Sequence, residues 1–257
     1  MMDDIINQSS RMDIPATTRR VQRVRHELRR RELAVVRVER PSPQFARVTL
    51  AGDELAGFVS ASFDDHLKFM PGDDAGGEPI RRDYTPRHYD AAAGELAIEF
   101  ALHGHGAASD WARHAAVGQR VVIGGPRGSF IVPLDYDWHL LAGDATALPA
   151  IRRRLEELPA GARAIVLAQL DAADRLPFTT AARLDLHWID PAADLAEALR
   201  GLALPPGDGY AWAAGEAAAM ARLRRVLVDE KGLAKEAMRV AAYWKRGASG
   251  HHENLED

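Results

Sequence analysis

The stretch RRDYTPRHYD, residues 81–90, packs four Arg/His side chains, two tyrosines and a proline into ten positions. It is too polar for a buried strand and is broken by Pro86, which lacks an N–H and holds its φ fixed. It still sets rigid aromatic faces beside fixed positive charge. That combination suits a ligand that is flat at one end and anionic at the other.

Around it the chain has two grammars. From about Glu32 to Val132, the runs LAVVRVER, FARVTLAG, DHLKFMP, ELAIEFALH and QRVVIGGPRGSFIV are separated by turn residues. Short strands with Gly/Pro punctuation predict an antiparallel barrel or sandwich. One helix is expected within this half, in GAASDWARHAAVG, capped by Ser109 and ended by Gly118. After VPLDYDW, the apolar runs HLLAG, RAIVLAQL, LDLHWI and YAWAAG alternate with helix-like ALPAIRRRLEEL, ADLAEALRGL and EAAAMARLRRVLVDE, and MRVAAYWKRG reads as a last strand. Strands alternating with helices predict βαβ units and a parallel sheet. The expected fold class is β + α/β, with two ligands meeting at the seam.

Composition narrows the function. With 257 residues, 47% apolar and 27% charged, the chain is globular rather than disordered. It has no run near the ~20 apolar residues of a membrane span, and MMDDIINQSS lacks the order of a signal peptide. The absence of cysteine excludes thiolate zinc sites and Cys-ligated iron–sulfur clusters. A cytoplasmic protein is expected. The net charge of −4 argues against general nucleic-acid binding, although residues 19–40 hold nine arginines and three glutamates. A polyanion-binding arm there competes with a helical turn followed by a strand from Leu33, and the alternation of LAVVRVER favours the latter.

Two strand–Gly–acid–helix junctions, AGDAT (142–146) and AAGEAA (213–218), are candidate anion seats, because helix N-termini offer free N–H groups. No G-x-G-x-x-G is present. The loop LDAADR offers both Asp171, suited to a ribose hydroxyl, and Arg175, suited to a 2′-phosphate. His103 and His105 could share one strand face, but no acidic or third His partner lies near in sequence, so no metal site is expected. Trp111 is expected in the core.

RDYTPR (82–87) resembles the R-x-Y-[ST] flavin signature of the ferredoxin-reductase superfamily. FDDHLKFMP (63–71), HGHGAASDWA (103–112), GPRGSF (125–130), GDATALPAI (143–151) and AAYWKRG (241–247) narrow the resemblance to the siderophore-interacting proteins, FAD-dependent ferric-siderophore reductases. The likeness runs from about Gln22 to Gly247. It implies a Greek-key β-barrel FAD domain over 19–134 and a parallel βαβ NAD(P)H domain over 135–247, with 1–18 and 248–257 as flexible tails.

The resemblance also implies roles. Arg82 would pair with the FAD diphosphate, with Asp83 beside it, Tyr84 along the ring or ribityl chain, and Thr85 as the catalytic hydroxyl near flavin N5. His103, Gly104, Gly106, Ala107, Ala108 and Ser109 would seat the second phosphate. Gly143, Asp144, Thr146, Gly215 and Glu216 would hold NADPH or NADH. Lys68, Arg127 and Arg239 match a basic triad that would receive an anionic ferric siderophore of catecholate type. Ala107 stands where the family often has Pro, and Ala145 where it often has Glu. Ferric siderophore and NAD(P)H are the expected partners, with no nucleic acid and no membrane span, and a monomer is expected. Rival readings are another flavoreductase of this superfamily and a non-catalytic siderophore carrier.

Overall fold

The computed structural model describes residues 20–71, 81–102, 106–248 and 253–255. The first half is a seven-stranded antiparallel sheet built from β2 (Arg30–Ser42), β3 (Phe45–Ala51), β4 (Leu67–Pro71), β5 (Arg82–Tyr84), β6 (Pro86–Asp90), β7 (Glu95–Ala101) and β8 (Arg120–Gly124). Its order is β5-β4-β8-β2-β3-β7-β6, with β8 returning to lie between β2 and β4. RRDYTPRHYD therefore supplies both edges of one sheet, and Thr85 is the corner between them. Pro86 is tolerated because an edge strand has a side that needs no ladder donor. Alternate residues Leu33, Val35, Val48, Leu50, Leu96, Ile98, Phe100, Val121 and Ile123 fill the barrel.

Three local expectations change. The helical turn expected before Leu33 is instead strand β1 (Gln22–Arg25), paired antiparallel with β9 (Gly128–Ile131). Gly128 permits the pairing, since a Cβ there would lie 2.3 Å from the Val24 carbonyl oxygen. Helix α1 spans Ala107–His114 and is capped by extended Gly106, not by Ser109. Ser109 falls inside the first turn, and its hydroxyl donates back to the Gly106 carbonyl at 3.1 Å. Within the tail expected to be loose, β15 (Glu253–Asn254) pairs with Ala241 and Ala242, and Leu255 packs on the core.

The second half alternates β10 (Trp138–Gly143), α2 (Leu148–Glu157), β11 (Arg163–Gln169), β12 (Arg183–Ile189), α3 (Leu195–Gly201), β13 (Gly209–Glu216), α4 (Ala217–Arg225) and β14 (Met238–Trp244). Its sheet order is β12-β11-β10-β13-β14-β15, parallel except for β15. Strand order reverses between β10 and β13, the switch point where α/β sheets bind ligands.

The halves are joined mainly by α2, through its three successive arginines. Arg153 donates to Ser60 Oγ, Ser60 O and Pro86 O at 2.8, 2.9 and 3.0 Å. Arg152 reaches the buried Glu99 at 3.1 Å, and Arg154 donates to the Pro133 carbonyl at 2.6 Å. Phe45 from the barrel packs with Leu148 and Leu170 beside these polar contacts. Among the described residues no helix is long and apolar enough to cross a membrane.

Candidate functional site

At the barrel corner, Arg82 and Tyr84 share one face of β5, because side chains alternate along a strand. Tyr84 is half-buried against Phe100 and Phe69, with centroids 4.4 and 5.8 Å away. Trp111 of α1 packs on the same two rings at 5.7 and 4.8 Å, a core role as expected. β5 and the first turn of α1 thus converge on one aromatic cluster. Asp83 points the other way and forms an ion pair with its cross-strand neighbour Lys68. His103 and Gly104 lie outside the described residues.

Thr85 is buried at the barrel corner and acts on the hydroxyl of Tyr243, near the carboxyl end of β14. Burial pushes the Tyr243 hydroxyl up; the carboxylates of Asp64 and Asp83 add to that push, while Arg239 and the Thr85 hydrogen bond oppose it. Tyr243 therefore stands among all four of those side chains. No sequence motif marked it for this place beyond its position in AAYWKRG.

At the switch point, Asp144 Oδ1 accepts from the Thr146 amide (2.9 Å) and hydroxyl (2.6 Å). Its Oδ2 accepts from the Glu216 amide (3.0 Å) and the Trp244 indole (2.8 Å). One carboxylate thus ties the ends of β10, β13 and β14. Gly143 is required by packing, as a Cβ would lie 2.3 Å from Ala214 O and 2.4 Å from Ala147 Cβ. The expectation of free amides is corrected at α4, where Glu216 caps its own helix by accepting from Ala218 and Ala219 at 2.7 and 3.0 Å. It is corrected at α2 as well, where the junction amides of Thr146 and Ala147 bond back to Asp144 and Pro149 has no N–H to offer. In the following loop, Arg175 is turned onto the Leu170 carbonyl at 3.1 Å, while Asp171 is exposed.

The basic triad is only partly gathered. Lys68 pairs in register with Gly124, three residues before the exposed Arg127. Arg239 lies in the seam between the halves, 2.7 Å from the buried Asp64 and over the Phe130 ring. Asp64 also accepts from the Trp212 indole at 3.3 Å. Arg239 is therefore committed to holding the domains together. It also lines a cavity of about 420 Å³ with Arg23, Phe130, Arg224, Lys235 and Met238. Among the described residues no three His, Cys, Asp or Glu side chains gather as a metal site.

Residues 136–247 match the family described as siderophore-interacting protein, and residues 34–76 and 70–130 match the siderophore-interacting FAD-binding domain. The chain is 39% identical to the NADPH-dependent ferric-chelate reductase of Escherichia coli (strain K12), over 89% of this chain and 98% of that one. It belongs to the siderophore-interacting protein family. Ferric vibriobactin reductase ViuB of Vibrio cholerae is 32% identical over 87% of this chain and 93% of its own length. A siderophore utilization protein from T. fusca superposes with a TM-score of 0.81 at 34% identity, over 90% of this chain and 98% of that one.

The residues of this siderophore-interacting protein fit the flavin its family domain binds. Helix α1 begins without a side-chain cap, so its first amides remain available to an anion. A Cβ at Gly106 would find nothing nearer than Ser109 Oγ at 3.8 Å, so the approach to those amides is open. Arg82, on the adjoining edge strand, is half-exposed and supplies a guanidinium fork for a diphosphate.

Proposed function

We infer that this chain is a flavoenzyme that reduces ferric siderophores, with NADPH as electron donor and FAD as the relay, and that it releases iron as Fe²⁺. The observation that carries this is the junction where Arg153 of α2 donates to Pro86 O at 3.0 Å and Arg87 donates to Glu156, which holds the candidate flavin motif against the α/β half. Electron donor and flavin must meet at such a point. The two relatives named above bear reductase names, for a ferric chelate and for ferric vibriobactin.

FAD, when bound, takes an electron pair from NADPH and gives electrons up singly, so one NADPH serves two ferric ions. Arg82 and the α1 amides would hold its diphosphate. Thr85, buried at the barrel corner, would offer its hydroxyl to the bound ring. Asp144 acts as a positioning residue, fixing the strand ends that receive the nicotinamide nucleotide. Iron arrives as substrate, already ligated by hard oxygen donors that hold Fe³⁺ better than Fe²⁺. Lys68 and Arg127 stand where the chelate would dock, without touching the metal. We place the enzyme in the cytoplasm as a monomer, where an absence of cysteine fits a reducing compartment.

The test is anaerobic mixing of FAD-loaded protein, NADPH and a ferric siderophore with a ferrous-specific chelator present. The expected result is Fe²⁺ appearing in step with NADPH loss. Flavin reduction without Fe²⁺ would assign another acceptor, and failure to bind FAD would leave only a carrier.

A further inference from the structure

Resting on the reductase reading, we propose that the substrate mouth is charge-compensated, and that Asp83 makes it favour ferric chelates of low net charge over strongly anionic ones. The family likeness led to the expectation of three cations facing a trianionic complex. The structure pairs two of them. Lys68 Nζ lies 2.7 Å from Asp83 Oδ2, with the lysine side chain 52% exposed and the aspartate 17%. Arg239 Nε lies 2.7 Å from Asp64 Oδ2, with exposures of 16% and 3%. Arg127 alone stands exposed without an ion pair among the described residues.

These groups form one neighbourhood. Asp83 and Lys68 are register partners on β5 and β4, and Lys68 is also in register with Gly124 beside the Arg127 turn. Asp64, Asp83 and Arg239 all act on the Tyr243 hydroxyl. Of the three matched cations, two are thus compensated and one, Arg127, is not, among the described residues. Asp83 is also the residue between Arg82 and Tyr84, so its carboxylate is fixed at the flavin strand and cannot retreat when a chelate arrives.

The chemistry follows from ligand charge. Fe³⁺ held by three catecholate dianions carries −3, whereas Fe³⁺ held by three hydroxamate monoanions is neutral. A trianion must separate Lys68 from Asp83 and then sit beside a largely buried carboxylate stripped of that partner, a built-in repulsive element of the kind that sets specificity. A neutral chelate meets no such repulsion. It can use the apolar surface offered by Leu28, which is 56% exposed and packs near Gly125 at the Arg127 turn.

Gallium(III) complexes test this, because they copy the charge and shape of the ferric ones but accept no electron. FAD-loaded wild type and Asp83→Asn are titrated by calorimetry with Ga³⁺ tris-catecholate and Ga³⁺ tris-hydroxamate at low and high salt. Wild type is expected to bind the neutral complex at least as tightly as the trianion, with little salt dependence. Asp83→Asn should gain about tenfold for the trianion, a gain lost at high salt, with a much smaller change for the neutral complex. Lys68→Gln, which strips the carboxylate of its partner, should shift the preference the opposite way.

Tighter, steeply salt-dependent binding of the trianion by wild type overturns the proposal. So does an Asp83→Asn variant with an unchanged ratio. Either result leaves the reductase reading intact if ferric chelates are still reduced. Absence of any ferric-chelate reduction sinks both.

Discussion

Arg87 of β6 donates two hydrogen bonds, 2.8 and 2.5 Å long, to Glu156 of α2 across the boundary between the barrel and the α/β domain. The guanidinium is 8% exposed, and Glu99, fully buried, lies 3.8 Å from its Nε. Arg87 is the last residue of the flavin motif RDYTPR, so the segment that shapes the flavin corner also fixes the domain angle there.

The first prediction concerns that seam. Arg87→Ala removes one partner of a buried charge cluster and should cost about 3 kcal/mol of stability. Urea unfolding measures it, and a midpoint equal to wild type would show that the seam contributes nothing.

Gly143→Ala should be far more damaging than its single methyl suggests. The added carbon would lie 2.3 Å from a backbone oxygen and 2.4 Å from a neighbouring Cβ, inside a parallel ladder that cannot shift. A loss of about 3 kcal/mol or more is expected, and soluble protein with an unaltered melting temperature would contradict it.

His139 predicts an acid limb in stability. Burial, with Arg154 adding to it, lowers this imidazole from 6.5 to about 4. The unfolded chain therefore takes up a proton first as pH falls. The stability that depends on the neutral ring is full above about pH 6.5 and is lost as pH drops toward about 4. The loss is about 3 kcal/mol at 1.36 kcal/mol per pH unit. His139→Gln should flatten that limb, and equal pH profiles for the two proteins would refute the assignment.

Arg82→Ala should weaken FAD binding by about 2 kcal/mol, roughly thirtyfold, since a charge-assisted contact to a diphosphate is lost. Flavin fluorescence on titration reads this directly. Unchanged affinity would place the diphosphate elsewhere.

Asp144→Asn sets an amide against at least one of four donors, so about 2 kcal/mol of stability should be lost. The KM for NADPH should rise while FAD affinity stays near wild type. A rise in neither KM nor unfolding rate would leave Asp144 without a positioning role.

Much of the architecture could be read without coordinates. The alternating runs became β2, β3, β7 and β8, the apolar runs became β10 to β13, and GDATALP became the turn into α2, because period and punctuation are local properties. QRVR could not be read this way, as its strand exists only because Gly128 lets a partner approach. Ser109 was misplaced because an extended Gly106 can cap a helix without any side chain.

The site divides in the same manner. Residue order alone determined the two-domain grammar, the flavin motif and the presence of Lys68, Arg127 and Arg239, since these need only identity and spacing. Only tertiary structure decided that the arginines of RRRLEE reach into a domain seam and that Glu216 closes its own helix. It alone decided that Asp64 and Asp83 neutralise two cations. Such pairings join residues as much as 175 positions apart, as between Asp64 and Arg239. Spacing cannot encode which charges the folded chain brings within hydrogen-bond reach, because that depends on the packing of strands from both halves.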